Sequence, residues 1–251
     1  MKNIIILGSG RSGTSLVASL FAESGYFMGN ELYKGRDANP LGFFESWDIN
    51  GINEDILSKQ FPSKKKWWSN NQIFQIGQRW LISPSNEISY QVNDKIINGI
   101  NKMINQEPFC FKDPRFSFTL PIWKNQLPNN TIYVVVFRHP YNTATSIVKE
   151  CNSGVAYLKD FKITTDKALK IWLSNYKHIL KMYNLDSKNW LFLNYEDLIN
   201  NSEEILIKLE CYTKTKLSRK TIKKELYRNT KKMSLRNEYK IIYKTLIKLS
   251  L

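Results

Sequence analysis

Two segments of the chain carry residues suited to holding anions. Gly8 to Ser15 reads GSGRSGTS. Small residues in such a turn let backbone N–H groups point inward at an anion, and a helix that begins there adds about half a positive charge. Arg11 places a cation inside the loop, while Ser12, Gly13, Thr14 and Ser15 supply hydroxyls and closely spaced amides. The interval from Gly8 to Gly13 copies the phosphate loop of nucleoside triphosphatases, yet Thr14 stands where those enzymes keep the lysine that holds the β and γ phosphates. An ordinary ATP or GTP hydrolase is therefore not expected, and no third glycine follows where a dinucleotide fingerprint needs one. The second segment, VVVFRHPYNTATS, sets Arg138 eight residues before Ser146. An arginine and a hydroxyl together can fork onto a phosphate, although an arginine at a strand end serves equally well as a structural ion-pair residue.

Both segments need the same support, a buried strand that runs into a helix. Asn3 to Leu7 is a β-branched apolar run, and Leu16, Val17, Leu20 and Phe21 repeat at helical spacing after it. Thr131 to Phe137 (TIYVVVF) is the clearest buried strand, followed by a helix that Pro140 opens. Pro108 to Phe111 predicts a short strand ending at Lys112, and Trp190 to Leu193 a fourth. Helices are predicted over 89–104, 165–183 and 202–211, with mostly loops and short helices from Gly29 to Pro84. Strands alternating with helices predict an α/β fold: a P-loop-type domain over 1–251 with a central, mostly parallel sheet of about four to five strands and a helical C-terminal end.

The formal net charge of +15 favours anionic partners in general. From Lys214 to Lys248 there are 13 Lys or Arg residues against Glu225 and Glu238, so the basic surplus concentrates in a C-terminal extension of about 212–251. That extension reads either as a solvated helical surface or as a polyanion-binding one. No apolar run reaches the roughly 18 to 20 residues of a membrane span, and a cytoplasmic, soluble protein is expected. Cys110, Cys151 and Cys211 are too far apart for a disulfide framework, and no His or Cys pair has zinc-ligand spacing, so no metal is expected.

The loop around Arg11, the Arg138 to Ser146 spacing and NYEDL at Asn194 to Leu198 together resemble the sulfotransferases that use 3′-phosphoadenosine 5′-phosphosulfate (PAPS), over roughly residues 3 to 210. The resemblance implies that Arg11, Ser12, Gly13, Thr14 and Ser15 hold the 5′-phosphosulfate, that Arg138 and Ser146 bind the 3′-phosphate, and that Tyr195 lies near the adenine. It implies a metal-free transfer to a hydroxyl of a carbohydrate or similar polar acceptor, such as a glycan or glycolipid, with no specific nucleic acid partner. KDPRFSFTLP resembles the tyrosylprotein and bacterial glycan branches, in which the lysine of KDP acts on the sulfuryl group; that lysine is Lys112 here, and Arg11 faces the leaving phosphate. Arg115 then either holds an anionic part of the acceptor or pairs with Asp113. The histidine used as base by cytosolic relatives is missing, since Asp113 and Pro114 occupy its place, so a carboxylate must serve. Glu45, beside Phe43 and Phe44, is favoured over Glu31. The glycine-rich C-terminal motif of the hormone-sulfating branch is absent, and Lys231, Lys232 and Arg236 are candidates to replace part of it. Trp47, Trp67, Trp68 and Trp80 suit either sugar stacking or core packing. Two other readings stay open: a small-metabolite P-loop kinase, which Thr14 disfavours, and a non-catalytic polyanion-binding protein.

Overall fold

The computed structural model describes residues 1–35, 42–63, 76–84, 87–154, 158, 162–219, 222 and 234–251. Strands β1 (Ile4–Leu7), β2 (Cys110–Lys112), β3 (Ile132–Phe137) and β4 (Trp190–Asn194) form one parallel sheet in the order β2-β1-β3-β4. Every residue in the four is buried, which is why they read as continuous apolar runs rather than alternating ones. Pleating divides each run between two cores. Ile5, Leu7, Tyr133, Val135 and Phe137 face one side, and Ile4, Ile6, Ile132, Val134 and Val136 the other.

Helices α1 (Thr14–Ala22), α7 (Tyr195–Asn200) and α8 (Ser202–Thr213) cover the second face. The first is covered by α2 (Trp47–Ser58), α3 (Asp94–Ile104), α4 (Phe116–Lys124), α5 (Pro140–Cys151), α6 (Thr165–Leu185) and α9 (Asn237–Leu249). The chain leaving β1 therefore goes to one face and the chain leaving its neighbour β3 to the other. A crevice opens between two such strand tips. The register makes the tips level: Ile6 pairs with both Lys112 and Val134, and Phe137 pairs with Asn194. Lys112, Gly8, Arg138 and Tyr195 consequently leave the sheet along one edge.

Several elements differ from the sequence reading. Helix α3 starts at Asp94 rather than Ser89, because the Asn93 side chain accepts the Ile96 N–H and caps it there. Two helices, α2 with Gly51 inside it and α4 with Pro121, were obscured by those breakers. Tyr195 opens α7 instead of ending a strand, since the Asn194 side chain accepts the N–H groups of Glu196 and Asp197. His178 is half-buried against Phe118, and its desolvation lowers its pKa. In the basic extension, Tyr239 and Leu246 anchor α9 in the core while Lys240, Lys244 and Lys248 face solvent. Lys231, Lys232, Trp67 and Trp68 lie outside the described residues.

Candidate active site

The first anion loop is built by close approach. At Gly8 (φ 142°) a Cβ would stand 2.3 Å from the Val136 carbonyl oxygen, and at Gly13 (φ 93°) one would stand 2.1 Å from the Tyr195 ring. Only glycine lets the loop lie this near to β3 and α7. Gly13 occupies the N-cap position of α1 with no side-chain cap, so the helix start keeps its polarity for an anion. Beneath the loop, the Tyr176 hydroxyl accepts the Ser9 N–H at 3.3 Å, donates to the Val136 carbonyl at 2.8 Å and lies 3.0 Å from Ser12 Oγ. Ser12 is wholly buried and also meets Thr143 Oγ1 at 3.3 Å, so its hydroxyl points into the protein. Thr14 is buried at the head of α1, and Ser15 Oγ donates to the Phe43 carbonyl at 3.3 Å.

The two sequence segments meet through side chains. Arg11, itself at φ 72°, donates from Nε to Ser146 Oγ at 3.2 Å, and its Nη1 lies 3.7 Å from Glu150 Oε2. Arg138 stands 4.9 Å from the centroid of the Tyr195 ring, the same ring that covers Gly13, with its Nε 3.4 Å from Glu196 Oε1. Guanidinium groups from both segments thus border one crevice, each beside a carboxylate that holds it in place. Glu150 and Glu196 were missed in the sequence. Their signal was positional: Glu150 follows Ser146 by one helical turn, and Glu196 follows Tyr195.

On the β2 side, Lys112 Nζ contacts Glu45 Oε1 at 2.5 Å, with the lysine side chain 2% and the carboxylate 17% exposed. This ion pair joins residues 67 positions apart in sequence. A short antiparallel pairing presents Glu45: Leu32 bridges Ser46, the Tyr33 N–H donates to the Glu45 carbonyl and the Trp47 N–H to the Glu31 carbonyl. Phe44, just before the carboxylate, holds φ at 54°, a left-handed conformation costly for a bulky residue and found where geometry around a site is imposed. Glu31 is exposed and Glu45 is the acid that touches Lys112. Trp80 packs against Gly10 as a wall of the loop, where a Cβ would meet its ring at 2.7 Å.

Arg115 takes the second of its two expected roles. It is 1% exposed, with Nε donating to Glu54 at 2.5 Å, Nη1 to Asp113 at 3.1 Å and Nη2 to the Gly77 carbonyl at 2.7 Å. Enclosed in this way, Arg115 is engaged by Asp113, Glu54 and the Gly77 carbonyl, the structural pairing rather than a contact open to solvent. Burial alone would lower its pKa, but Asp113 and Glu54 more than offset this and hold it firmly charged. Glu54 also binds Arg79, through the backbone N–H at 3.1 Å and through the guanidinium.

The parallel α/β sheet thus carries, along one edge, the uncapped start of α1 and the lysine–carboxylate pair. The profile of the Sulfotransferase family matches residues 3–216. The chain belongs to that family and is an enzyme of it, which sets aside the kinase and non-catalytic readings. Among solved structures, it resembles the sulfotransferase domain from the curacin biosynthetic pathway, with TM-score 0.59 and 15% identity over 98% of this chain and 97% of that one. It also resembles the sulfotransferase domain of the Synechococcus PCC 7002 olefin synthase, with TM-score 0.56 and 16% identity over 98% and 96%. These two likenesses establish the fold. No curated protein matches the chain in sequence. Among the described residues, no helix is long and apolar enough to cross a membrane.

Proposed function

We propose that the chain, acting as one unit over 1–251, transfers a sulfuryl group from PAPS to a hydroxyl of a carbohydrate or similar polar acceptor. The observation that carries this reading is the meeting of the two anion segments: Arg11 bonds Ser146 directly, and Arg138 lies on the ring that covers Gly13. Such a crevice fits a ligand with phosphates at both ends. The backbone of Gly13, Thr14 and Ser15 with Arg11 would hold the 5′-phosphosulfate, Arg138 and Ser146 the 3′-phosphate, and Tyr195 the adenine side. Ser12 supports the loop from below through Tyr176. When bound, the donor supplies the sulfuryl group and a phosphate leaving group.

The chain's own residues meet the needs of the reaction. Glu45 takes the proton of the acceptor hydroxyl, Glu31 being too exposed to be favoured. Lys112 and Arg11 set positive charge against the negative charge that builds on the transferring group and on the departing oxygen. Because Lys112 and Glu45 are paired, the group that takes the proton and the cation that faces the transferring group stand side by side. Titration calorimetry tests the donor site. Binding of 3′-phosphoadenosine 5′-phosphate should exceed that of AMP by about tenfold or more, about 1.4 kcal/mol, and Arg138→Ala should remove the difference. Equal affinity for the two nucleotides would overturn the reading.

A further inference from the structure

The antiparallel pairing that presents Glu45 also presents a pair of aromatic rings that the fold does not need. Tyr33 and Trp47 stack with centroids 3.8 Å apart and planes 28° apart. Trp47 remains 55% exposed at the first position of α2, and neither ring joins the hydrophobic cores among the described residues. That pairing sets Tyr33 opposite Glu45 and Trp47 opposite Glu31, so all four side chains project from one face. The phenol is half-buried and its pKa is pushed up, by burial first, with Glu45 and Asp113 adding to the rise and Arg115 opposing it. The inner ring of the stack therefore borders the reacting pair, and the outer ring opens to solvent.

Among the described residues, two acids stand at the edge of this shelf. Glu31 and Asp48 are exposed at its edge, with the Asn30 side chain donating to Asp48 at 3.2 Å. A polyanion drawn by the net charge of +15 would meet the like charges of Glu31 and Asp48 at this edge. A neutral ring with one flat apolar face and a hydroxyl at its edge would lie on the indole and present that hydroxyl toward Glu45.

Resting on the reading of the site as a sulfotransferase centre, we infer that the Tyr33–Trp47 stack is the acceptor subsite, and that it takes an uncharged, ring-shaped hydroxyl compound. A pyranose and a phenol share this chemistry. The full chain, with and without 3′-phosphoadenosine 5′-phosphate, is titrated with methyl β-glucopyranoside, 4-methylphenol, 1,4-butanediol and a heparin octasaccharide. Binding is followed by saturation-transfer NMR, and sulfation by labelled donor. One or both neutral rings should bind saturably, and which of them does so separates the two sources. Trp47→Ala should weaken that binding about 3- to 10-fold and raise KM without lowering kcat, Trp47→Phe should restore most of it, and nucleotide affinity should stay unchanged. The inference is overturned if heparin or butanediol binds as well as the rings, if no ring binds, or if Trp47→Ala leaves ring binding unaltered. Failure of the nucleotide to bind would instead sink the donor reading alone, since ring binding is also scored without it.

Discussion

Two charge clusters lie side by side at the β2 edge, each made of basic and acidic residues, and they are satisfied to different degrees. In one, Lys112 and Glu45 face each other as a single pair, with the carboxylate partly open to solvent. In the other, Arg115, Asp113, Glu54 and Arg79 are each at most 4% exposed and bind one another and the backbone. The two differ in how fully their groups are satisfied, not in charge. A group whose donors are all engaged is fixed, while a group with one exchangeable partner can serve a reaction.

Breaking the closed cluster should give the largest effect. Glu54→Gln leaves two buried arginines short of their shared carboxylate and should cost about 3 to 5 kcal/mol, a large part of a domain's stability, read as a lower urea midpoint. A loss below about 1 kcal/mol would show the cluster to be solvated and the contrast false. Lys112→Ala tests the open pair. Turnover should fall about 10²- to 10³-fold while the urea midpoint moves far less than in Glu54→Gln. Comparable unfolding in both variants would make Lys112 another scaffold residue. The smallest effect is expected under the anion loop, where Tyr176→Phe removes the hydroxyl that meets Ser9, Ser12 and Val136. Stability should drop by about 1 to 2 kcal/mol, and nucleotide affinity should weaken with kcat at saturation preserved. An unchanged affinity would mean that the loop holds its shape without that support.

Local sequence carried much of this organisation. The runs Asn3 to Leu7 and Thr131 to Phe137 could only be buried strands, because nothing in them tolerates water on either face. The glycines and Arg11 marked the turn from β1 into α1, and the Arg138 to Ser146 segment the turn from β3 into α5. Glu45 was singled out by its neighbours Phe43 and Phe44, yet nothing near it in sequence points to Lys112. Tyr176 was illegible, since a tyrosine inside a helix pattern gives no sign of what lies above its hydroxyl. Arg115 was ambiguous for the same reason, its burial being set by Glu54 and Gly77 from a stretch with little periodicity.

What the sequence determined, then, was the set of strands and the two strand-to-helix turns, which follow from backbone preference and burial over a few adjacent residues, and the motifs that carry the family resemblance. The tertiary structure alone decided which turns share a crevice, which acid meets Lys112 and which arginine is sealed away. Those outcomes depend on the order β2-β1-β3-β4 and its register, which bring residues 11 and 146, or 45 and 112, into contact across the fold. Contacts of that kind are set by packing the whole sheet, and no short stretch of chain encodes them.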